Sequence, residues 1–250
     1  MKRLVFSIIS LLLFVMAFAS SFTDVCDKYG AVVKRDNVGK TVYLLFSADS
    51  LFEGSGVVLD VLRKHEIKAS FFFTGNCLRM GEHRETISNV LKMNHYVGCH
   101  SDAHLLYADW NQERTNLVSD DSLCNDLSKN YIELQRIGIS KKDAPYYLPP
   151  YEWYNSQNIS AIKKIGIVPI NFSVGLLTSD DYTTPDMGAR YKSSQQLVDL
   201  IFEYERKHSL DGCFMLIHPG TSPLRKDKLY NRLDEIITKL KSLGYTFSRL

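Results

Sequence analysis

The segment Gly98–Tyr107, GCHSDAHLLY, sets two histidines four positions apart, His100 and His104, at the end of an apolar run. Neutral imidazoles are good ligands for divalent ions, and two of them with one carboxylate leave a coordination position open for water. This spacing lets one turn aim both rings at a common point. Taken alone, the pair is a weak signal that capping or surface histidines would also give, so a third donor has to be found. Asp49 supplies a carboxylate directly after another apolar run, Thr41–Ala48 (TVYLLFSA). Two further apolar runs end at polar groups: FMLIHPG at His218, and YYLPPY at the Pro149-Pro150-Tyr151 turn. Asp102, between the two histidines, reads either as a support for a ligand or as a solvated side chain.

Positioning these groups needs elements that bring distant strand ends together. Strand-like runs recur at 41–48, 68–75, 95–100, 146–151, 167–173, 212–218 and 245–250. Helical stripes lie between them: Val57, Val58, Val61 and Leu62; a segment over 84–93; and Leu123, Leu127, Tyr131 and Leu134 behind the capping cluster Ser119-Asp120-Asp121. Ser156–Ile165, the stripe Leu197, Leu200, Ile201 and Tyr204 behind Ser193, and Leu229–Leu243 complete the set. Strands alternating with helices, and strands apolar on both faces, predict an α/β fold with a mostly parallel sheet. The spacing favours a distorted, incomplete (β/α) barrel of about seven units over an open doubly wound sheet. Asp49, His100, the Pro-Pro-Tyr turn and His218 all fall at C-terminal strand ends, where parallel α/β folds gather their chemistry. Neither GxGxxG nor a P-loop follows the first strand, which excludes the common nucleotide-binding designs.

Composition narrows the classes further. A formal net charge of +2 gives no field that would draw nucleic acid or an anionic membrane. Lys2 and Arg3 precede the apolar run Leu4–Phe18, and Ala17-Phe18-Ala19 offers small residues at a cleavage site. Residues 1–19 therefore read as a secretory signal peptide, 20–40 as an N-terminal extension and 41–250 as one domain. That implies export to a periplasmic or extracellular space, with no membrane span left after cleavage. Five cysteines, an odd number, leave at least one thiol outside any internal disulfide, and none is assigned to catalysis.

In chain order, these segments resemble the polysaccharide deacetylases of carbohydrate esterase family 4, the NodB-homology domain. YLLFSAD stands where that family has a Thr-Phe-Asp-Asp strand end, and IKASFFFTGNCLR is similar to its second strand. HYVGCHSDAH matches its His-(Ser/Thr)-x-x-His segment, YYLPPY its Arg-Pro-Pro-Tyr turn, and FMLIHPG its Leu-x-His strand. LDEIITKLKSLGYTFSRL resembles its last helix and strand, so the likeness runs from about Val42 to Leu250. The resemblance implies a metal-dependent hydrolase that removes acetyl groups, N-acetyl ahead of O-acetyl, from a poly- or oligosaccharide. It implies a divalent metal, zinc first with cobalt or nickel as alternatives, held by Asp49, His100 and His104. It gives His218 the role of the acid that protonates the leaving amine, and the Tyr151 N–H that of an oxyanion donor. Donors of that kind are worth about 3–4 kcal/mol.

The chain departs from the family pattern in three places. With Phe46 aligned, Ser47 and Ala48 stand at the two aspartates, and Asp49 comes one place late. Asp49 is expected to ligate the metal after a small shift of the turn, or else to act as the base; Glu152 and Asp102 are alternative bases. Leu148 replaces the family's arginine, and INFSVG stands where an Asp-x-x-Asp-Trp segment would orient the base. These losses leave open a second reading, a carbohydrate-binding protein on the same scaffold that does not cleave. Tyr151 and Trp153 offer stacking faces for sugar rings, whereas Trp110 reads as a core or loop-packing residue.

Overall fold

The computed structural model describes residues 23–36 and 38–250. Its strands and helices alternate as β1 (Thr23–Cys26), β2 (Val32–Asp36), β3 (Thr41–Ala48), α1 (Ser55–Lys64), β4 (Ser70–Phe73), α2 (Gly75–Arg79), α3 (Arg84–Lys92) and β5 (Tyr96–Cys99). They continue as α4 (Asp120–Arg136), β6 (Tyr146–Tyr147), α5 (Ser156–Lys164), β7 (Val168–Pro169), α6 (Ser194–His208), β8 (Phe214–Ile217), α7 (Leu233–Ser242) and β9 (Thr246–Ser248). Most sequence-predicted elements are present, but several are shorter. The 146–151 run gives only two strand residues, because Pro149 and Pro150 have no N–H to offer a ladder. The expected helix over 229–243 begins as a tighter turn, Leu229–Arg232, before α7 takes over.

The main sheet runs β7-β6-β5-β4-β3-β8, with β9 also on β3, and all of its pairings are parallel. Strand β3 carries the alternation that builds two cores. Val42, Leu44, Phe46 and Ala48 belong to the large cluster shared with the helices, among them Leu59, Leu62, Ile236 and Ile237. Tyr43 and Leu45 face the other way and join Phe72, Tyr96, Leu148, Phe214 and Leu216 inside the curl of the sheet. By the same alternation Ser47 lies on the inner face, at the C-terminal end.

The sheet closes into an incomplete barrel, and β2 bridges its open seam. Val32 pairs with Ile170 in parallel and Lys34 with Cys213 antiparallel. The Asn171 N–H donates to the Val32 carbonyl at 2.8 Å, and Ser173 Oγ donates to the Val33 carbonyl at 2.6 Å. Ser173 Oγ also accepts from the Phe214 N–H at 2.9 Å, so one hydroxyl joins both sides of the gap. The barrel expectation therefore stands over the open doubly wound sheet. The expected signal segment 1–19 lies outside the described residues, and none of the described helices is long and apolar enough to cross a membrane. All five cysteines are free thiols.

Candidate active site

Four loops meet at the C-terminal mouth of the barrel. The first follows β3. Asp49 Oδ1 accepts from the Thr74 hydroxyl at 2.8 Å and from Asn76 Nδ2 at 3.3 Å. Thr74 caps α2, its Oγ1 accepting from the Cys77 N–H at 3.0 Å, so the same hydroxyl starts a helix and fixes the carboxylate.

The second loop, after β5, carries the histidine pair. His100 is buried, and its Nδ1 lies 2.7 Å from the Leu148 carbonyl. A carbonyl can only accept, so Nδ1 carries the proton and Nε2 keeps its lone pair. Ser101 (φ 72°) and His104 (φ 54°) both occupy the left-handed region, which turns the chain sharply between the histidines. Ser101 Oγ accepts from the His104 N–H at 2.9 Å. Beneath the turn, the buried Asp126 of α4 accepts from the amides of Asp102 (3.2 Å) and Ala103 (3.0 Å) and from the Tyr107 hydroxyl (2.6 Å). The two histidine rings lie 5.1 Å apart, and the His104 ring is 4.5 Å from that of Tyr151. Burial keeps both imidazoles below their usual range, with Asp49 pulling His104 partly back up.

The third loop is the Pro-Pro-Tyr turn. Its next residue, Glu152, continues the left-handed backbone begun at Tyr151, with φ of 52° and 58°. Burial pushes the Glu152 carboxyl up to about 7; His218 draws it down and Asp181 raises it. Leu148, at the family's arginine position, is wholly buried in the inner core, and only its carbonyl serves the site.

The fourth loop follows β8. His218 Nδ1 lies 2.6 Å from Asp181 Oδ1, and the His218 N–H donates to Oδ2 at 2.8 Å. Burial by itself would depress this imidazole. The Asp181 carboxylate, helped by Glu152, outweighs burial and lifts it to about 9. Asp181 sits in the turn Leu177–Tyr182, beyond the INFSVG segment where a partner carboxylate would be sought from the sequence. The doublet Asp180-Asp181 before an aromatic residue is the available signal.

Asp102 does not reach the mouth as a free carboxylate. Arg79 holds it in an ion pair at 2.5 Å. Trp110 also differs from expectation: it is 56% exposed and sits edge-on to Tyr151 at 5.8 Å. Trp153 packs beside it, 5.1 Å between rings, and its Nε1 donates to the Asp109 carbonyl at 3.0 Å.

The donor chemistry at His100 and His104 suits a divalent ion, since both rings are neutral and His100 presents Nε2. Among the described residues, however, no three His, Cys, Asp or Glu side chains converge into a metal-holding group. Asp49, with Oδ1 committed to Thr74 and Asn76, does not complete the set in this conformation.

A curled, incompletely closed (β/α) barrel with histidines and carboxylates at its C-terminal mouth defines the carbohydrate esterase family 4 class of fold. Residues 34–170, more than half of the chain, match the polysaccharide deacetylase family, and the chain belongs to it. It is 26% identical over 226 residues to the peptidoglycan-N-acetylmuramic acid deacetylase PdaA of Bacillus subtilis, covering 90% of this chain and 75% of that protein. The crystal structure of BA3943, a family 4 pseudoenzyme from Bacillus anthracis, superposes with a TM-score of 0.68 at 20% identity, over 90% of this chain and 68% of that one. A family 4 acetyl xylan esterase from Clostridium thermocellum, solved in complex with a cobalt ion, gives a TM-score of 0.65 at 21% identity, over 84% and 88% of the two chains.

Proposed function

We propose that this chain hydrolyses N-acetyl groups on an oligo- or polysaccharide of the cell-wall type, breaking the amide C–N bond to release acetate. The observation that carries this reading is the His218–Asp181 pair, which keeps an imidazolium beside two neutral imidazoles. An imidazolium that survives to about pH 9 is a proton donor at neutral pH, and the leaving amine needs one. The Tyr151 N–H makes no hydrogen bond to another described group and is free to donate to a developing oxyanion. His100 and His104, with Asp49 as third donor once its turn shifts, would hold a zinc or cobalt ion. Such an ion supplies Lewis-acid polarisation and a bound water of lowered pKa. Tyr151, Trp110 and Trp153 form an aromatic rim suited to the apolar faces of sugar rings. Export by the 1–19 segment would bring the enzyme to a wall glycan.

The test is acetate release from N-acetylglucosamine oligomers and from peptidoglycan, with zinc or cobalt added. Wild type is active and H218A and H100A are not; an H100A variant equal to wild type overturns the reading. A second reading, sugar binding without turnover, is favoured by Ser47 and Ala48 at the two aspartate positions and by the likeness to a pseudoenzyme. Calorimetric binding of the same oligomers with no acetate released would decide for it.

A further inference from the structure

Among the described residues, Arg225 is the largest side chain to be wholly buried. Its guanidinium is bonded to neutral acceptors. Nη1 donates to the Thr183 carbonyl at 2.7 Å and Nη2 to the Lys192 carbonyl at 2.9 Å, with the Ser194 hydroxyl 3.5 Å from Nη2. The Tyr191 ring lies 5.2 Å from its central carbon. Nε is buried without a hydrogen-bond partner among the described residues. Burying a cation that forms no ion pair, with one donor unsatisfied, costs stability, and an apolar side chain of similar volume would fill the space without that penalty. Packing alone does not account for an arginine at this place.

Arg225 and His218 lie on the same loop, the one that follows β8, and that loop is closely bonded within itself. Lys228 Nζ donates to the Thr221 carbonyl at 2.7 Å, to the Ser222 carbonyl at 3.0 Å and to Glu53 at 2.9 Å, while the Arg225 N–H donates to the Ser222 carbonyl at 3.0 Å. From this base the loop grips the Asp181 turn twice. At its start, the N–H and ring of His218 engage both oxygens of Asp181; further along, Arg225 holds the Thr183 carbonyl just beyond Asp181. Between the two grips the turn closes on itself, the Thr183 N–H (3.0 Å) and hydroxyl (2.6 Å) both donating to the Asp180 carbonyl. The second Arg225 bond fastens the backbone at Lys192, whose ammonium pairs with Asp180. A guanidinium spans two carbonyls with a rigid fork, which the single ammonium of a lysine on its flexible stem does not reproduce.

We propose that Arg225 is a positioning residue for proton transfer: by holding the Thr183 and Lys192 carbonyls it sets the Asp181 turn so that both carboxylate oxygens meet His218. The role of His218 as proton donor rests on the hydrolase reading above, whereas the placement of Asp181 needs no substrate. Arg225 makes none of the hydrogen bonds that fix Asp49, His100 or the His104 turn, so its effect is confined to the donor side of the mouth. The charged and titratable groups facing His218 are Asp181 from the 177–182 turn, Glu152 from the Pro-Pro-Tyr turn, and His100 and His104 from the loop after β5, with the Tyr182 ring 6.3 Å away. Burial pushes the Asp181 carboxyl up, and His218 and then Arg225 draw it back toward the ionised form that His218 requires.

The experiment compares full-length wild type with R225K and R225M, and D181N with D181N carrying either change. His218 is followed by histidine side-chain NMR titration, and the pH profile of acetate release from the N-acetylglucosamine pentamer with zinc chloride is measured beside it. R225M should lower the pH at which His218 titrates and move the alkaline limb down by about one unit, roughly a tenfold loss of rate above pH 9 with KM little changed. R225K keeps the charge but not the fork and should show most of that shift. On the D181N background neither change should shift His218 further, because the residue through which Arg225 acts is already gone. Calorimetric zinc binding should match wild type throughout. An R225M protein that melts earlier while His218 titrates as in wild type makes Arg225 merely structural and overturns the assignment. So does an R225K with wild-type titration, or a further shift on the D181N background. Where R225M does not fold, R225K and its double variant decide. A wild type that releases no acetate overturns the hydrolase reading, while the NMR titration still decides whether Arg225 sets the His218–Asp181 pair.

Discussion

Asp181→Asn isolates the electrostatics of His218, the proposed proton donor. Asparagine keeps the size of the side chain and an acceptor for the His218 N–H, but it removes the negative charge 2.6 Å from Nδ1. In wild type that charge helps to raise His218 from 6.5 to about 9 against the pull of burial. Raising the imidazole that far corresponds to about 3 kcal/mol in favour of the protonated ring. Without the carboxylate, burial is the larger influence and the imidazole should titrate at or below its ordinary value. Near pH 8 its protonated fraction would fall from roughly nine-tenths to a few hundredths, so the rate at that pH should drop roughly 30-fold. Linkage predicts a matching change in stability. A group raised on folding contributes fully below its unfolded pKa and loses that contribution as pH rises through the folded one. Wild type should therefore lose stability between pH 6.5 and about 9, and D181N should be nearly flat there. Histidine side-chain NMR titration, urea unfolding across that range and the alkaline limb of acetate release measure the three effects. A His218 that still titrates near 9 in D181N would mean that Asp181 is not what holds its proton.

Calorimetric titration with zinc should show binding to wild type and H218A, but at least tenfold weaker binding to H100A and H104A, because, of the three variants, only those two remove a proposed metal ligand. D126A would leave two amides and the Tyr107 hydroxyl without their acceptor; urea unfolding should show a loss of about 3 kcal/mol, and zinc affinity should fall as the His104 turn loosens. W110A removes an exposed ring and should leave the melting temperature unchanged, while oligosaccharide binding measured by calorimetry weakens a few-fold, about 1 kcal/mol.

Much of the barrel is legible in the sequence because its elements are set by local patterns. The run TVYLLFSA forms β3 with the predicted bounds, and Ser119 and Ser193 cap α4 and α6 as their side chains suggest. His100 and His218 announce themselves by falling at strand ends. Asp181 does not, since it lies in an irregular turn with no period to betray which carboxylate faces His218. Ion pairing is likewise invisible to local reading. Asp102 and Glu152 are equivalent as sequence, and only the fold sets Arg79 against one and leaves the other without an ion pair among the described residues. Trp110 departs from its expected packing role because its exposure depends on the 105–118 loop, whose only strand-like contact among the described residues is the Ala108–Asn116 bridge.

The seam closed by β2 also constrains the order of events in folding. Residues 32–35 belong to the β1–β2 hairpin, yet their partners at 170–173 and 212–214 come much later in the chain. Contacts that distant form slowly, because a long loop must be closed before they contribute. The barrel cannot be sealed until most of the polypeptide is available. A shortened version starting at Thr41 would thus begin with an unzipped wall and should refold with an exposed inner core.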